Sequence, residues 1–124
     1  MNMYEVFFGQ DSFYYHLDNN AEWDSKKYWL LECQLIDIAK KIMGKHEIDK
    51  FLAKDLFYLG TSVENLVWAS RSSICEWSIR NFDDDSEYLF DRFRNVFNLI
   101  WSDSSQITID LLRVFSLENK YYFN

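Results

Sequence analysis

A chain of 124 residues, of which 48% are hydrophobic and 27% charged, has the size and apolar content of one folded domain rather than of a disordered segment. Its formal net charge of −7, from 20 acidic and 13 basic residues, opposes binding to nucleic acid or to an anionic membrane. An acidic surface attracts a basic protein. A requirement for solubility would also account for the negative net charge.

Aromatic residues are frequent, at 19% of the chain, with 11 Phe, 8 Tyr and 5 Trp. We expect most of these rings to fill the core and the others to lie on a partner surface, where Tyr and Trp are favoured. The two cysteines, Cys33 and Cys75, lie far apart, and we predict that they are small buried hydrophobic residues rather than a disulfide.

Two features of the sequence give an expected location. The opening MNMYEVFFGQ has no basic region before an apolar run, so no signal peptide is expected. No apolar run approaches the roughly 18 residues that a membrane span needs. We therefore predict a single domain over residues 1–124, located in the cytoplasm and without membrane contact.

Residues 1–20 are rich in aromatics and show no clear period. YEVFF is compatible with a short strand or a packed arm, and DSFYYHLDNN ends in residues typical of turns. The whole chain contains no proline and three glycines, which favours long helices in the remainder.

Three helical segments follow in chain order. The first spans residues 21–44, with Asp24 or Ser25 as its N-cap and Gly44 as its stop. The second, residues 46–71, is one long helix or two helices broken at residues 60–62. An extended link over residues 73–82 precedes the third helix, which begins at an acidic run. Apolar residues recur at helical spacing in all three segments. In the first they are Tyr28, Leu31, Leu35, Ile38 and Ile42, and in the second Ile48, Leu52, Leu56, Leu59, Val63 and Leu66 or Val67, followed by Ser70 on the same face. In the third they are Leu89 or Phe90, Phe93, Val96 or Phe97 and Ile100.

The C-terminal residues 104–124 fit two patterns. Ile107, Ile109 and Leu111 alternate as in a strand, whereas Ile107, Leu111, Val114 and Phe115 fit one helix face, which we favour. The sequence therefore predicts a mainly α, single-domain, compact bundle of about three to five helices. It has an irregular or short-strand N-terminal arm and an ambiguous C-terminal segment.

The sequence offers no convincing metal or catalytic motif. HEIDK at residues 46–50 begins like the zinc-protease helix signature, but Lys50 stands where a second histidine is required. The histidines, His16 and His46, and the two cysteines lack metal-binding spacings. RSSIC at residues 71–75 supplies hydroxyl and thiol groups without the glycine-rich elbow of a nucleophile. We predict no catalytic residue, cofactor or metal, and a binding protein rather than an enzyme.

Asp83, Asp84 and Asp85 form the densest run of carboxylates. They can be a solvated helix start, since the helix dipole favours negative charge there. They can also be an acidic patch for a protein partner. Acid–base catalysis would require one of them to be buried with a raised pKa.

Two longer stretches carry a family resemblance. SFYYHLDNNAEWDSKKYWLLECQL begins at Ser12, and WSIRNFDDDSEYLFDRFRNVF begins at Trp77. They resemble immunity proteins of bacterial polymorphic toxin and contact-dependent growth inhibition systems, with the immunity protein family numbered forty-one among them. The resemblance covers roughly residues 12–102. One departure is that the third helix ends in LIWSDSS, without the glycine typical of that family.

The resemblance implies a mostly α protein that binds the C-terminal toxic domain of a cognate toxin in the cytoplasm. Many such domains are nucleases, so acidic side chains would occupy a basic active-site or substrate cleft, without direct contact to nucleic acid. The oligomeric state is not indicated. The candidate partner-binding residues are the acidic side chains Asp83, Asp84, Asp85, Glu87 and Asp91, with Asp11, Asp18 and Glu22 as a second acidic stretch.

Three alternatives stay open at this point. The first is an acidic adaptor or regulator without a toxin partner. The second is a nucleic-acid mimic, which predicts carboxylates at phosphate-like intervals along an elongated face. The third is an enzyme, which predicts a deep pocket with two or more converging polar side chains.

Overall fold

The computed structural model describes residues 3–72, 74 and 76–123. Its elements are six helices, α1 (Met3–Phe8), α2 (Phe13–Asn20), α3 (Ser25–Ile42), α4 (Lys50–Arg71), α5 (Asp84–Ile100) and α6 (Gln106–Glu118). The described residues form no β-strand beyond an isolated parallel bridge between Glu22 and Arg80. The prediction of a mainly α, single-domain bundle is confirmed.

Helices α3 and α5 pack along each other and form the centre of the bundle, and α6 contacts both. Helices α1 and α2 pack against α4 on one side. The side chains of Tyr28, Leu35, Phe90 and Phe93 are almost completely buried at the centre. Among the described helices, none combines the length and the apolar content that crossing a bilayer requires.

Helix α3 begins and ends where the sequence predicted. The Asp24 side chain accepts the backbone N–H of Lys27 at 3.0 Å, which selects Asp24 over Ser25 as the N-cap. Gly44 has a φ of 77° just beyond the helix, a conformation that glycine adopts without strain. Of the predicted face, Tyr28, Leu31, Leu35 and Ile38 are buried and Ile42 is half-buried.

Helix α4 is continuous, so the single-helix alternative is correct, although the helix begins at Lys50, after the N-cap Asp49, rather than at residue 46. Leu56, Leu59, Val63 and Val67 are fully buried along one face. Gly60 does not break the helix. It is buried on this face, where the ring of Phe97 from α5 occupies the space that a Cβ at position 60 would need. The glycine therefore serves close packing rather than a turn.

The N-terminal segment differs from the prediction, because it forms two helices instead of an irregular arm or a short strand. The Ser12 hydroxyl accepts the N–H of Tyr15 at 3.0 Å and caps α2, and Ala21 ends α2 with a φ of 49°. Helices of 6 and 8 residues are marginal in isolation. Burial of Phe7, Phe13 and Leu17 against the bundle stabilises them, which raises the helix count above the predicted three to five.

The C-terminal segment is helical as predicted, but it buries a different face. Thr108, Leu112 and Ser116 face the bundle. Most of the side chains expected to form the buried face are exposed, namely Ile107, Leu111 and Val114, while Phe115 is half-buried. Helix α6 carries apolar residues on its solvent side as well, so the spacing of apolar residues in the sequence pointed to the wrong face.

The link before α5 and the two cysteines are described in part. Residues 76–79 lie outside any helix, as predicted, and Ile79 is buried.

Cys33 is half-buried rather than fully buried, and burial raises the pKa of its thiol. Cys75 and Ser73 lie outside the described residues, so the predicted burial of Cys75 stays a prediction.

Candidate partner-binding surface

A buried ion pair joins the two central helices. The guanidinium of Arg92 on α5 donates to the carboxylate of Glu32 on α3 through Nη2 at 2.6 Å and Nε at 3.0 Å. Their side chains are only 3% and 0% exposed. The hydroxyl of Tyr28, one turn before Glu32, donates to the same carboxylate at 2.7 Å. This bidentate geometry fixes the rotation and the register of α5 against α3.

The network continues into the end of α6. Arg92 Nη1 donates to Glu118 at 2.8 Å, and Asn119 Nδ2 donates to Glu32 Oε1 at 3.2 Å and to the carbonyl of Trp29 at 3.0 Å. The rings of Trp29 and Phe115 lie 4.9 and 4.8 Å from the guanidinium carbon. Because every nitrogen and oxygen of the Glu32–Arg92 pair has a partner, the pair is a closed structural unit.

Charge and burial shift the pKa values of this network in consistent directions. Burial raises the pKa of Tyr28 well above its ordinary value, and the negative charge of Glu32 raises it further. Burial alone would lower the pKa of Arg92, but the hydrogen bonds and the charge of Glu32 outweigh it, so the pKa of Arg92 is raised. Both groups therefore hold their protons over the physiological range.

Apolar periodicity alone did not reveal this network. Its signal was a charged residue inside each apolar stripe, since Glu32 lies four residues after Tyr28 and Arg92 directly precedes Phe93. A charged side chain at a core-facing helix position must find an opposite charge. That rule would have paired Glu32 and Arg92.

The first group of predicted partner-binding residues lies at the N-terminal end of α5. Asp83 is the N-cap, and its carboxylate accepts the N–H of Ser86 at 3.0 Å, which lowers the pKa of Asp83. Glu87 pairs with Arg71 at the end of α4. Asp84 and Asp85 are exposed in the first turn.

Asp91 is also exposed, at the start of the third turn of α5. Within the described residues, Asp84, Asp85 and Asp91 have no hydrogen-bonded or ion-paired side-chain partner. These three carboxylates are therefore available to a partner, whereas Asp83 caps the helix and Glu87 holds Arg71.

The second predicted acidic stretch does not form one surface. The Asp11 carbonyl accepts the ammonium of Lys27 at 2.9 Å, in the loop between α1 and α2. Glu22 lies 3.8 Å from Arg80, in the segment that leads into α5. Asp18 lies on α2 and lines a separate cleft.

That cleft lies between α1, α2 and α4 and has a volume of about 900 Å³. Aromatic rings supply most of its walls, and the full lining comprises Tyr4, Phe8, Tyr14, Tyr15, Asp18, Asn19, Phe51, Lys54, Asp55, Phe57 and Tyr58. The high aromatic content predicted that some rings lie on a partner surface, but it did not indicate which ones. The missed signal is that Phe51, Asp55 and Tyr58 recur at helical spacing, outside the buried face of α4.

The segments considered for metal or nucleophile chemistry lie apart from these surfaces. His46 is exposed in the loop before α4, and His16 pairs with the side chain of Asn20 at 3.2 Å. Ser72 is the C-cap of α4. Across the described part of the chain, no three histidine, cysteine or acidic side chains converge in a geometry that would hold a metal ion.

The fold and these surfaces define a small helical protein with an acidic helix terminus and an aromatic cleft. Comparisons with protein-family models, with curated proteins and with solved structures each returned no match.

Proposed function

We propose that this protein is an immunity protein that binds and neutralises a cognate bacterial toxin domain, a nuclease, in the cytoplasm. Asp84, Asp85 and Asp91 at the acidic end of α5 would enter the basic active-site or substrate cleft of that nuclease. The observation that carries this proposal is that these three carboxylates are exposed on a rigid helix and unpaired within the described residues. The sequence resemblance supplies the class of partner.

Rigidity supports the choice of α5 as the binding element. The Glu32–Arg92 pair ties the helix to the core at the position directly after Asp91, and the Arg71–Glu87 pair ties its first turn to α4. A pre-organised surface loses less conformational entropy on binding. Its charge would also steer a basic partner, with association rates of up to about 10⁸ M⁻¹s⁻¹ at low salt.

Charge alone would not give tight capture. A nanomolar complex requires about 12 kcal/mol, whereas an exposed ion pair contributes about 1 kcal/mol or less. Tyr88 and Trp68 are each about half exposed. Trp68 lies against Arg71 of the Arg71–Glu87 pair, and Tyr88 lies one turn after Asp84 and Asp85 on α5. We expect these rings to supply buried aromatic contacts next to the carboxylates.

The test is co-purification with the product of the adjacent reading frame, followed by rescue of growth in cells that express that product. The variant Asp84→Lys with Asp85→Lys should weaken capture and rescue while the melting temperature stays nearly constant. A matched control is Glu47→Lys with Asp110→Lys, two exposed positions elsewhere. Both double variants change the net charge from −7 to −3, because each replacement adds two positive units.

Failure of the unaltered protein to rescue growth would contradict the immunity function. Equal loss of capture in both double variants would show that net charge, rather than Asp84 and Asp85 specifically, determines binding. Retention of a partner other than the neighbouring product would favour the acidic adaptor instead.

A further inference from the structure

The cleft between α1, α2 and α4 exposes aromatic surface that the fold leaves uncovered. Phe51 and Phe57 are 74% and 70% exposed, and Tyr4 and Tyr58 are more than half exposed. Phe8 also lines the cleft, with its ring centroid 5.4 Å from that of Tyr58. Rings held against one another in this way present preformed π surface to a ligand.

Tyr14 packs against two of the rings that line the cleft. Its ring lies 5.5 Å from Phe8 and 6.2 Å from Tyr58, edge-on to both. Burial raises the pKa of Tyr14 to about 12, and its hydrogen bond with Tyr58 and the charge of Asp18 act in the same direction. The hydroxyl therefore stays neutral, and the negative charge of the cleft comes from its carboxylates.

Two carboxylates, Asp18 on α2 and Asp55 on α4, line the same cleft. Neither has an ion-paired or hydrogen-bonded side-chain partner within the described residues. Lys54 also lines the cleft, but it makes no ion pair or ring contact in that part of the chain. The cleft thus combines exposed rings with unpaired negative charge.

Among the described residues, an arginine lies against an aromatic ring and pairs with a carboxylate in three places outside this cleft. Arg92 lies over Trp29 and pairs with Glu32. Arg71 lies 5.0 Å from the Trp68 ring centroid and pairs with Glu87. Arg94 lies 5.8 Å from the Phe90 ring centroid and pairs with Glu64 at 2.9 Å. A ring face and a carboxylate together match the planar, charged guanidinium.

We propose that this cleft binds an arginine-bearing segment of a protein partner. The guanidinium stacks on the exposed rings of Phe57 and Tyr58 and pairs with Asp18 or Asp55. A volume of about 900 Å³ exceeds one side chain, so neighbouring apolar side chains of the same segment occupy the remainder. This surface is separate from the acidic end of α5, and its test is independent of the proposed immunity function.

The probe is a blocked hexapeptide with two arginines separated by one leucine. Its control replaces arginine by citrulline, which keeps the shape and removes the charge. Amide NMR spectra of the full-length, isotope-labelled protein are recorded with each peptide at low and high salt. We expect shifts confined to α1, α2 and the first three turns of α4, and about tenfold weaker binding of the citrulline peptide.

Three variants test the assigned residues. Phe57→Ala should weaken arginine-peptide binding about fivefold, and the variant should stay folded because Phe57 is exposed. Asp18→Asn combined with Asp55→Asn should weaken it about tenfold and remove the salt dependence. Ile107→Ala, an exposed apolar side chain on α6 outside the cleft, should leave binding unchanged.

Several results would overturn the proposal. Equal binding of the two peptides would show that the guanidinium charge is not recognised. Shifts centred on the N-terminal end of α5 would place the peptide on the other acidic surface. No binding at millimolar peptide, or unchanged affinity in both cleft variants, would also reject it.

Discussion

Arg92 and Glu32 lie 60 positions apart in the sequence, and two hydrogen bonds of 2.6 and 3.0 Å join them in the core. Removing two charges from water is costly, so such a pair stabilises a fold only when its remaining donors and acceptors are satisfied. Here Tyr28, Asn119 and Glu118 satisfy them. The pair therefore specifies one arrangement of α3, α5 and the end of α6.

Replacing Arg92 should be strongly destabilising, because it leaves the Glu32 carboxylate buried without its counter-charge. We expect Arg92→Met to lower the free energy of unfolding by about 3–5 kcal/mol, measured by urea denaturation. Arg94→Met is the control, since Arg94 lies on the same helix as Arg92 and its pair with Glu64 of α4 is nearly half exposed. It should lower that free energy by about 1 kcal/mol or less. Equal effects of the two substitutions would contradict the assigned role of Arg92.

Removing both charges should be less harmful than removing one. Glu32→Leu combined with Arg92→Met leaves no unpaired buried charge, and apolar replacements of buried ion pairs are often neutral or stabilising. We expect the double variant to unfold at a higher urea concentration than either single variant. A double-mutant cycle measures this coupling. Simple addition of the two single losses would show that the residues act independently.

Tyr28 should make the stability of the protein depend on pH in the alkaline range. Because burial and Glu32 raise the pKa of Tyr28 above its unfolded value of 10.0, only the unfolded chain releases this proton just above pH 10. The contribution to stability is therefore complete below pH 10 and is lost as the pH rises. The free energy of unfolding should fall by up to about 1.4 kcal/mol per pH unit from this one group.

The variant Tyr28→Phe isolates this contribution. It should be less stable at pH 8, by about 1–3 kcal/mol, because Glu32 loses a donor. Its stability should also fall less steeply than that of the unaltered protein between pH 10 and 11. Urea denaturation at these pH values gives both quantities. Identical slopes for the two proteins would argue against a raised pKa at Tyr28.

Gly60 and Phe97 should be coupled. A Cβ built at position 60 would lie 2.6 Å from two carbons of the Phe97 ring, and the neighbouring rings of Phe93 and Trp101 limit its movement. Overpacking of this kind costs about 1–3 kcal/mol, which outweighs the gain of about 1 kcal/mol from helix propensity. We expect Gly60→Ala to lower the melting temperature.

The sign of this effect should reverse when the ring is removed. In a Phe97→Leu background, the clash is relieved and Gly60→Ala should stabilise the protein by up to about 1 kcal/mol. Thermal unfolding of the four proteins followed by circular dichroism measures the change. Stabilisation by Gly60→Ala in both backgrounds would show that the ring moves aside freely.

Several elements could be predicted from local sequence. The cap at Asp24, the positive φ at Gly44 and the acidic start of α5 follow from interactions within a few residues. The apolar spacing of α3, α4 and α5 identified their buried faces correctly. The acidic residues of α5 were placed together because they lie between its N-cap and the start of its third turn.

Other features required contacts between distant parts of the chain. Helices α1 and α2 are too short to be stable without the bundle, so their sequences alone did not predict helix. Helix α6 carries apolar residues on two sides, and only packing against α3 and α5 selected the side of Leu112. The grouping of Asp18 with Asp55 depends on α2 lying beside α4.

The sequence by itself determined that this protein is a mainly α, acidic domain with three long helices and a negatively charged start to α5. The hydrogen bonds of a helix and the spacing of its apolar residues involve positions a few residues apart, so they can be predicted directly from the sequence. Only the tertiary structure decided that Arg92 meets Glu32 and that the rings of α1, α2 and α4 surround one cleft. Those arrangements depend on how separate helices pack, because burial and charge pairing act between residues that the chain itself keeps far apart.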